Sequence, residues 1–171
     1  PVLYHSGQVD DLDAVARHAA RKGYTEIALV GFSMGGNQVL KYLAERRQSL
    51  PGEITRAAAV SVPCDLTACS VLLAQPRNRI YMVYFLRTLR QKMREKHALF
   101  PELFDISSLD SMTTFKEFDD AFTAPLHGFA DAEDYWAKAS CLPFLSDIAV
   151  PTLLINARND PFLSESCSPR A

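Results

Sequence analysis

Apolar residues in the first 62 positions recur with periods that predict two helices and two strands in alternation. Residues 10–22 predict a helix with one apolar stripe, formed by Leu12, Val15, Ala16 and Ala19. Residues 26–32 and 57–62 are short, nearly continuous apolar runs, which are typical of parallel strands covered on both faces. Residues 34–47 predict the helix between them. A strand, a helix and a strand joined by short links form a βαβ unit with a right-handed crossover.

The helix predicted over residues 34–47 has one face expected to be buried and one expected to meet solvent. The buried face consists of Val39, Leu40, Leu43 and Ala44. The solvent face consists of Lys41, Glu45, Arg46 and Arg47. This division is typical of a helix that lies against one side of a sheet.

Between residues 66 and 145, the apolar residues recur with the period of a helix, and no segment has the pattern of a strand. Residues 79–97 predict a long, basic, amphipathic helix, and residues 131–140 predict a short one. Residues 150–156 then predict a third buried strand, in which Pro151 is tolerated at the start. The sequence therefore predicts an α/β fold with a parallel sheet flanked by helices. A helical insertion of this size between two strands predicts a cap over the sheet edge.

This pattern divides the chain into residues 1–65 and 146–171, which form a partial core, and residues 66–145, which form the cap. Of the 171 residues, 48% are hydrophobic and 22% are charged. Such a composition is ordinary for a globular domain and excludes a disordered chain. The net charge of −2 predicts no broad attraction to nucleic acid.

The cysteines predict neither a metal site nor a disulfide framework. Cys64, Cys69, Cys141 and Cys167 form no C-x-x-C pair, and no histidine lies at a metal-ligand spacing from any of them. No apolar run approaches the ~18 residues of a membrane span, and the first residues lack the regions of a signal peptide. We therefore expect reduced thiols in a cytoplasmic protein.

The motif that carries chemistry lies between the first strand and the second helix. Gly31-Phe32-Ser33-Met34-Gly35 matches G-x-S-x-G, and the strand, turn and helix that this pattern requires are predicted around it. In such a turn the serine has a strained backbone, and small residues two positions before and after it let strand and helix pass closely. The hydroxyl then projects beside a helix N-terminus, whose free amides favour developing negative charge.

We therefore predict Ser33 as a nucleophile and the Met34 N–H as an oxyanion-hole donor, with Gly31 and Gly35 as the glycines of the turn. The alternative is a glycine-rich turn with an incidental serine. A phosphate-binding loop fits less well, because no lysine lies where such a loop needs one.

A serine nucleophile needs a histidine base and an acid that orients it. In enzymes with this motif the chain order is serine, acid, histidine. Asp160 directly follows the third predicted strand and is the predicted acid. Asp65, after the second strand, is the rival acid, and an aspartate that only shapes the loop is the alternative for Asp160.

The four histidines all precede Asp160, and they are His5, His18, His97 and His127. A triad histidine is expected one helix and one strand further on, roughly 20–35 residues past the acid. The chain ends 11 residues past Asp160. We therefore expect this chain to lack the base and to be inactive by itself.

Several segments around these candidates resemble the YheT-like branch of the α/β-hydrolases, bacterial relatives of animal lipid enzymes with an α/β-hydrolase domain. They are residues 3–7 with 10–12, 31–37 with 40–43, 124–129 with 132–136, and 151–155 with 159–162. The resemblance covers nearly the whole chain. It implies that Ser33 is the nucleophile and that Asp160, rather than Asp65, is the acid.

The resemblance also implies an incomplete α/β-hydrolase fold. The opening strands, the loop with the second oxyanion donor and the histidine segment of this family are not in the chain, and residues 164–171 depart from its pattern. Members hydrolyse carboxylic esters with short- to medium-chain or lipid-like acyl groups, so the implied partner is a small acyl ester, with no metal or organic cofactor. Thioesterases, acyltransferases and peptidases use the same machinery.

A catalytically inactive binding or scaffold protein is the alternative function. The basic surface of residues 87–96 would then dock an acidic partner or a membrane surface, although a solvated helix face is the simpler interpretation.

A sheet of three strands also exposes its edges and one apolar face. We therefore expect the chain to self-associate or aggregate.

Overall fold

Three parallel strands form the sheet of the computed structural model, which describes residues 4–168. Leu3 and the last three residues of segment 164–171 lie outside the described residues. The strands are β1 (Ile27–Phe32), β2 (Ile54–Val60) and β3 (Thr152–Ile155). They pair in the order β1-β2-β3, with Leu29 opposite Ala57 and Ala57 opposite Thr152. The predicted parallel sheet is therefore confirmed.

Seven helices lie around the sheet or between its strands in the described residues. They are α1 (Asp10–Arg21), α2 (Met34–Glu45), α3 (Leu66–Leu73), α4 (Arg79–Leu99), α5 (Phe115–Phe118), α6 (Ala124–His127) and α7 (Ala132–Ala139). A π-helical turn, Asp119–Thr123, joins α5 to α6. Short 3₁₀ turns occupy Pro76–Asn78, Leu142–Asp147 and Glu165–Cys167. None of the described helices is long and apolar enough to cross a bilayer.

Local residues explain where several elements begin and end. Helix α1 ends before Gly23, whose φ of 91° is available to glycine at little cost. Helix α7 is capped by Asp131, whose carboxylate accepts from the Asp134 N–H. Strand β2 ends two residues earlier than predicted because Ser61 has a φ of 52° and leaves the extended conformation.

Helices cover one face of the sheet. Leu29 of β1 and Ala57 of β2 pack against Ala16 of α1 and against Val39 and Leu43 of α2. The opposite face carries Val30, Phe32, Leu153 and Ile155, whose side chains are 49–66% exposed. We call these four residues the bare sheet face. The expectation that the strands are covered on both faces is therefore wrong for the described residues, because their helices pack on one side.

Helix α2 differs from its predicted amphipathic pattern. Lys41 was assigned to the solvent face, yet it is buried. Its ammonium group donates to the Lys138 carbonyl at 2.7 Å, pairs with Glu45 at 2.8 Å and lies over the Phe144 ring. A buried lysine needs such partners, because an unpaired charge away from water is costly. In α1, Val15 was assigned to the apolar stripe but is exposed.

The segment between β2 and β3 consists of helices and turns in the described residues and has apolar clusters of its own. Met82 and Leu86 of α4 pack with Leu109, Phe118 and Phe122. The division into a core and a cap of residues 66–145 stays a prediction.

Asp119, in the π-helical turn, is a half-buried acceptor for two side chains. Its Oδ2 accepts from Trp136 Nε1 at 2.8 Å, and its Oδ1 accepts from the Thr123 hydroxyl at 2.5 Å. Burial raises the pKa of Asp119 to about 6. The next residue, Asp120, accepts from the Ala132 N–H at 2.8 Å, at the start of α7. The turn therefore directs two successive carboxylates to different partners in the same helix.

Asn37, near the start of α2, connects three distant segments. Its amide nitrogen donates to the Ser6 carbonyl at 3.1 Å and to the Ala139 carbonyl at 2.9 Å. Its carbonyl oxygen accepts from the Cys141 N–H at 2.9 Å. The side chain has no exposed surface, so these three bonds hold the N-terminal segment and the end of α7 on α2.

We expect Asn37→Ala to lower the free energy of unfolding by about 2–4 kcal/mol, because it leaves a buried N–H and two carbonyls unpaired. Urea denaturation followed by circular dichroism measures the change. The control Gln48→Ala removes an exposed amide and is expected to stay within about 0.5 kcal/mol of the parent. Equal effects of the two substitutions would contradict this account.

Candidate active site

Ser33 stands in a strained turn between β1 and α2. Its backbone has φ 51° and ψ −122°, a conformation that residues with a side chain rarely adopt. The Ser33 N–H donates to the Val60 carbonyl at 2.9 Å, and the Ser33 carbonyl accepts from the N–H groups of Gly36 and Asn37. The residue is exposed. Within residues 4–168, its hydroxyl forms no hydrogen bond and does not cap α2.

Two glycines allow the close passage of β1 and α2 that creates this turn. A Cβ on Gly31 would lie 2.4 Å from the Gly35 carbonyl oxygen, and a Cβ on Gly36 would lie 2.5 Å from Val62 Cγ2. A Cβ on Gly35 would meet nothing within 4 Å. The prediction that Gly35 itself must be small is therefore not supported by the packing, because only its backbone is approached.

The N-terminus of α2 offers amide donors beside the Ser33 hydroxyl. Met34 is the first residue of the helix, and no acidic residue lies in the first turn. The first amides of a helix have no intrahelical acceptor and carry a partial positive charge. An oxyanion at this position would therefore be stabilised by the Met34 N–H, which stays the predicted donor.

Asp160 lies in the loop that follows β3. Its Oδ1 accepts from the Phe162 N–H at 2.9 Å, and its own N–H donates to the Ala157 carbonyl at 3.2 Å. Its Oδ2 forms no hydrogen bond in the described part of the chain. One carboxylate oxygen therefore shapes the loop, and the other is available to a further donor.

Ser33 and Asp160 follow the carboxyl ends of strands that are separated only by β2. Parallel strands lie about 4.8 Å apart, so the axes of β1 and β3 are separated by about 10 Å. The two residues therefore follow the same edge of the sheet. Neither residue contacts the other.

Asp65, the rival acid, is occupied by a structural role. One carboxylate oxygen accepts from the Ala68 N–H at 3.0 Å and caps α3. The other oxygen accepts from the Ser166 hydroxyl at 2.8 Å. Both oxygens of Asp65 are therefore used within the fold.

None of the four histidines is hydrogen-bonded to Ser33 in the described residues. His18 is exposed on α1, and His97 lies within α4 next to the Phe104 carbonyl. His5 and His127 form an edge-on pair with ring centroids 4.6 Å apart. Burial, the neighbouring His127 and Lys41 lower the pKa of His5 to about 4, and burial also lowers the pKa of His127.

The four cysteines are far apart in the sequence but lie together in the fold. All are free and buried, and they belong to one apolar cluster with Leu40 and Val62. The Sγ atoms of Cys69 and Cys167 are 3.4 Å apart although the residues are 98 positions apart. Neighbouring thiols and burial raise the pKa of Cys64. Among residues 4–168, no group of three or more side chains is arranged to hold a metal ion.

A cleft of about 540 Å³ opens between α3 and the loop after β3. Its walls include Ala68, Leu72, Arg77, Asp160, Leu163 and Glu165. Asp160 therefore borders a cavity of the size that a small ligand needs, whereas Ser33 is not part of its wall. Sequence periodicity gave no sign of this cleft, because it forms between segments about 90 residues apart.

Comparison with known proteins gives both a family and named relatives. The profile of the family described as alpha/beta hydrolase fold matches residues 4–169. The chain is 38% identical over 171 residues to the Escherichia coli (strain K12) protein named "Putative esterase YheT", with 98% of this chain and 50% of that relative covered. No solved structure gives a significant match.

Two animal relatives are also similar over most of the chain. Phospholipase ABHD3 of Mus musculus is 33% identical over 165 residues, which cover 95% of this chain and 39% of that relative. Monoacylglycerol lipase ABHD2 of Homo sapiens is 32% identical over 162 residues, which cover 83% of this chain and 36% of that relative. The chain thus spans half or less of the length of the curated relatives it matches.

We expect Gly31→Ala to lower the free energy of unfolding by at least about 3 kcal/mol, because its Cβ would collide with backbone atoms that cannot move aside cheaply. The matched control is Gly35→Ala, which places a Cβ in open space on a helix. It is expected to be neutral or to stabilise by up to about 1 kcal/mol. Urea denaturation compares the two, and a tolerated Gly31→Ala would contradict the close passage.

Proposed function

The chain belongs to the alpha/beta hydrolase fold family, and from that premise we propose that it carries the nucleophile and the acid of a serine hydrolase of carboxylic esters. The family match and the parallel sheet confirm the predicted fold class and the resemblance to the YheT-like branch. The observation that carries the proposal is the backbone of Ser33. A strained serine at a helix N-terminus has a structural cost that a hydrolytic role explains.

In the proposed reaction, Ser33 Oγ attacks the acyl carbon while a histidine base takes the hydroxyl proton. The Met34 N–H donates to the oxygen that becomes negative in the tetrahedral intermediate. The histidine then gives its proton to the leaving alcohol. Water hydrolyses the acyl-serine by the same steps and restores the Ser33 hydroxyl.

The place of Asp160 after β3 and the carboxylate oxygen without a hydrogen bond in the described residues support it as the group that orients that histidine. Its Oδ2 would accept from the imidazole N–H and fix the ring in the tautomer that accepts the serine proton. No histidine lies among residues 161–171. We therefore propose that the 171-residue chain by itself hydrolyses esters on the order of 10⁴–10⁶-fold more slowly than a complete triad.

Short- to medium-chain or lipid-like acyl esters are the proposed substrates. The relatives named phospholipase and monoacylglycerol lipase support the same substrate class. A binding or scaffold protein without activity is the alternative.

A fluorophosphonate probe tests the nucleophile in a chimera in which this chain replaces the matched segment of the E. coli relative. We expect covalent labelling that Ser33→Ala abolishes. Ser61→Ala is the matched control, because Ser61 is the other described non-glycine residue with positive φ but is followed by no helix N-terminus. It is expected to label like the parent. Absence of labelling in the folded parent chimera would favour the binding or scaffold alternative.

The same chimera separates the two candidate acids. We expect Asp160→Asn to lower kcat for p-nitrophenyl butyrate by about 10³–10⁴-fold, because a neutral amide no longer holds the histidine in its active tautomer. Asp65→Asn is expected to keep kcat within a factor of about three and to lower the free energy of unfolding by about 1 kcal/mol through the weakened cap of α3. The reverse pattern would identify Asp65 as the acid.

A further inference from the structure

The first half of α4 presents apolar side chains to solvent. Ile80, Val83 and Tyr84 are 55–75% exposed, and their spacing of three and four residues places them on one side of the helix. Met82 and Leu86 are buried on the opposite side. Single exposed apolar residues are ordinary, whereas a contiguous group on one helix face marks an interaction surface.

Unpaired basic residues flank these apolar side chains. Residues 66–94 include six lysines and arginines and no acidic residue, in a chain whose net charge is −2. Arg90 and Arg94 bind within the fold, to the carbonyls of Leu109 and Met112 and to Asp110. Arg79 and Arg87 are exposed and form no ion pair in the described residues. Both are available to an external anion.

We propose that the exposed surface of Arg79, Ile80, Val83, Tyr84 and Arg87, here termed the α4 surface, docks on a bilayer that contains anionic lipid. Aliphatic side chains and a tyrosine flanked by arginines suit the boundary between headgroups and acyl chains. Each arginine meets a lipid phosphate while the apolar groups leave water. This proposal does not depend on the reaction proposed for Ser33.

Other occupants fit the α4 surface less well. A second copy placed around a two-fold axis would bring arginines against arginines. A nucleic acid would meet the charges but would leave Ile80 and Val83 against a polar backbone. An anionic bilayer satisfies both the charges and the apolar centre.

The α4 surface is connected to the loop that carries Asp160. The Asn78 amide, directly before α4, donates to the Pro161 carbonyl at 2.9 Å and to the Leu72 carbonyl at 3.0 Å. The Tyr81 ring meets the Phe162 ring edge-on, with centroids 4.7 Å apart. A bilayer bound to the α4 surface would therefore contact a helix that packs directly against the loop bordering the cleft beside Asp160.

Vesicle co-sedimentation of the 171-residue chain tests the proposal. We expect at least ten-fold stronger binding to vesicles of phosphatidylcholine with 30% phosphatidylglycerol than to phosphatidylcholine alone, with the difference lost at 0.5 M salt because charge attraction is screened. The variants Arg79→Glu with Arg87→Glu, and Ile80→Ser with Tyr84→Ser, are each expected to reduce binding at least ten-fold. Circular dichroism verifies that both remain folded.

Arg21→Glu with Tyr24→Ser is the matched control, because this arginine and this tyrosine are both exposed and lie outside the α4 surface. It is expected to bind like the parent, and so is Ser33→Ala, which separates this test from that of the reaction. Binding that survives the α4 variants would place the contact outside the α4 surface and overturn the proposal. Absence of vesicle binding, or variant-sensitive binding only to single-stranded DNA or to a second copy, would overturn it as well.

Discussion

The close passage of β1 and α2 at Gly31 is the constraint on which the rest of the structure depends. With the Gly35 carbonyl 2.4 Å from where a Cβ on Gly31 would lie, the chain reverses from strand to helix with no room for a relaxed turn. The positive φ of Ser33 is the local result of that reversal. The Ser33 N–H is held by β2, so the second strand helps to keep the turn in its strained form.

The same constraint makes α2 the most enclosed helix of the fold, since it is pressed against the sheet while other segments cover its outer side. Its polar residues then have to find partners within the protein rather than in water. Asn37 and Lys41 do so by binding backbone groups of α7 and of the segment that follows it. The residues that follow the Ser33 turn thus tie the helical segment before β3 to the sheet.

Local patterns could be predicted from the sequence, whereas contacts between residues far apart in the chain could not. The G-x-S-x-G turn and the helical periods depend on neighbouring residues, so the strained turn at Ser33 and the approximate bounds of α1, α2 and α4 follow from the sequence alone. The burial of Lys41 depends on Lys138 and Phe144, about 100 positions away, and its position on α2 gives no hint of them. The capping role of Asp65 and the meeting of the four cysteines likewise need the folded topology. The prediction that Gly35 must be small was not supported. The G-x-S-x-G motif specifies the residue type, whereas the packing brings Gly31 close to the backbone of Gly35 and leaves the Cβ position of Gly35 open.

The π-helical turn at Asp119–Thr123 makes the length of the chain in this region matter as much as its composition. A π turn holds one residue more than an α turn, and here that extra residue lets Asp119 bind Trp136 while Asp120 binds the start of α7. Deletion of one residue from this turn would convert it into a regular α-helix and keep the residues after it in nearly the same orientation, because a π turn is an α turn that holds one extra residue. One of the two carboxylate positions that contact α7 would then be lost. Point substitutions on the exposed side of this segment leave both contacts in place. Evolutionary drift here should therefore proceed by exchange of side chains, with insertions and deletions confined to the loops on either side.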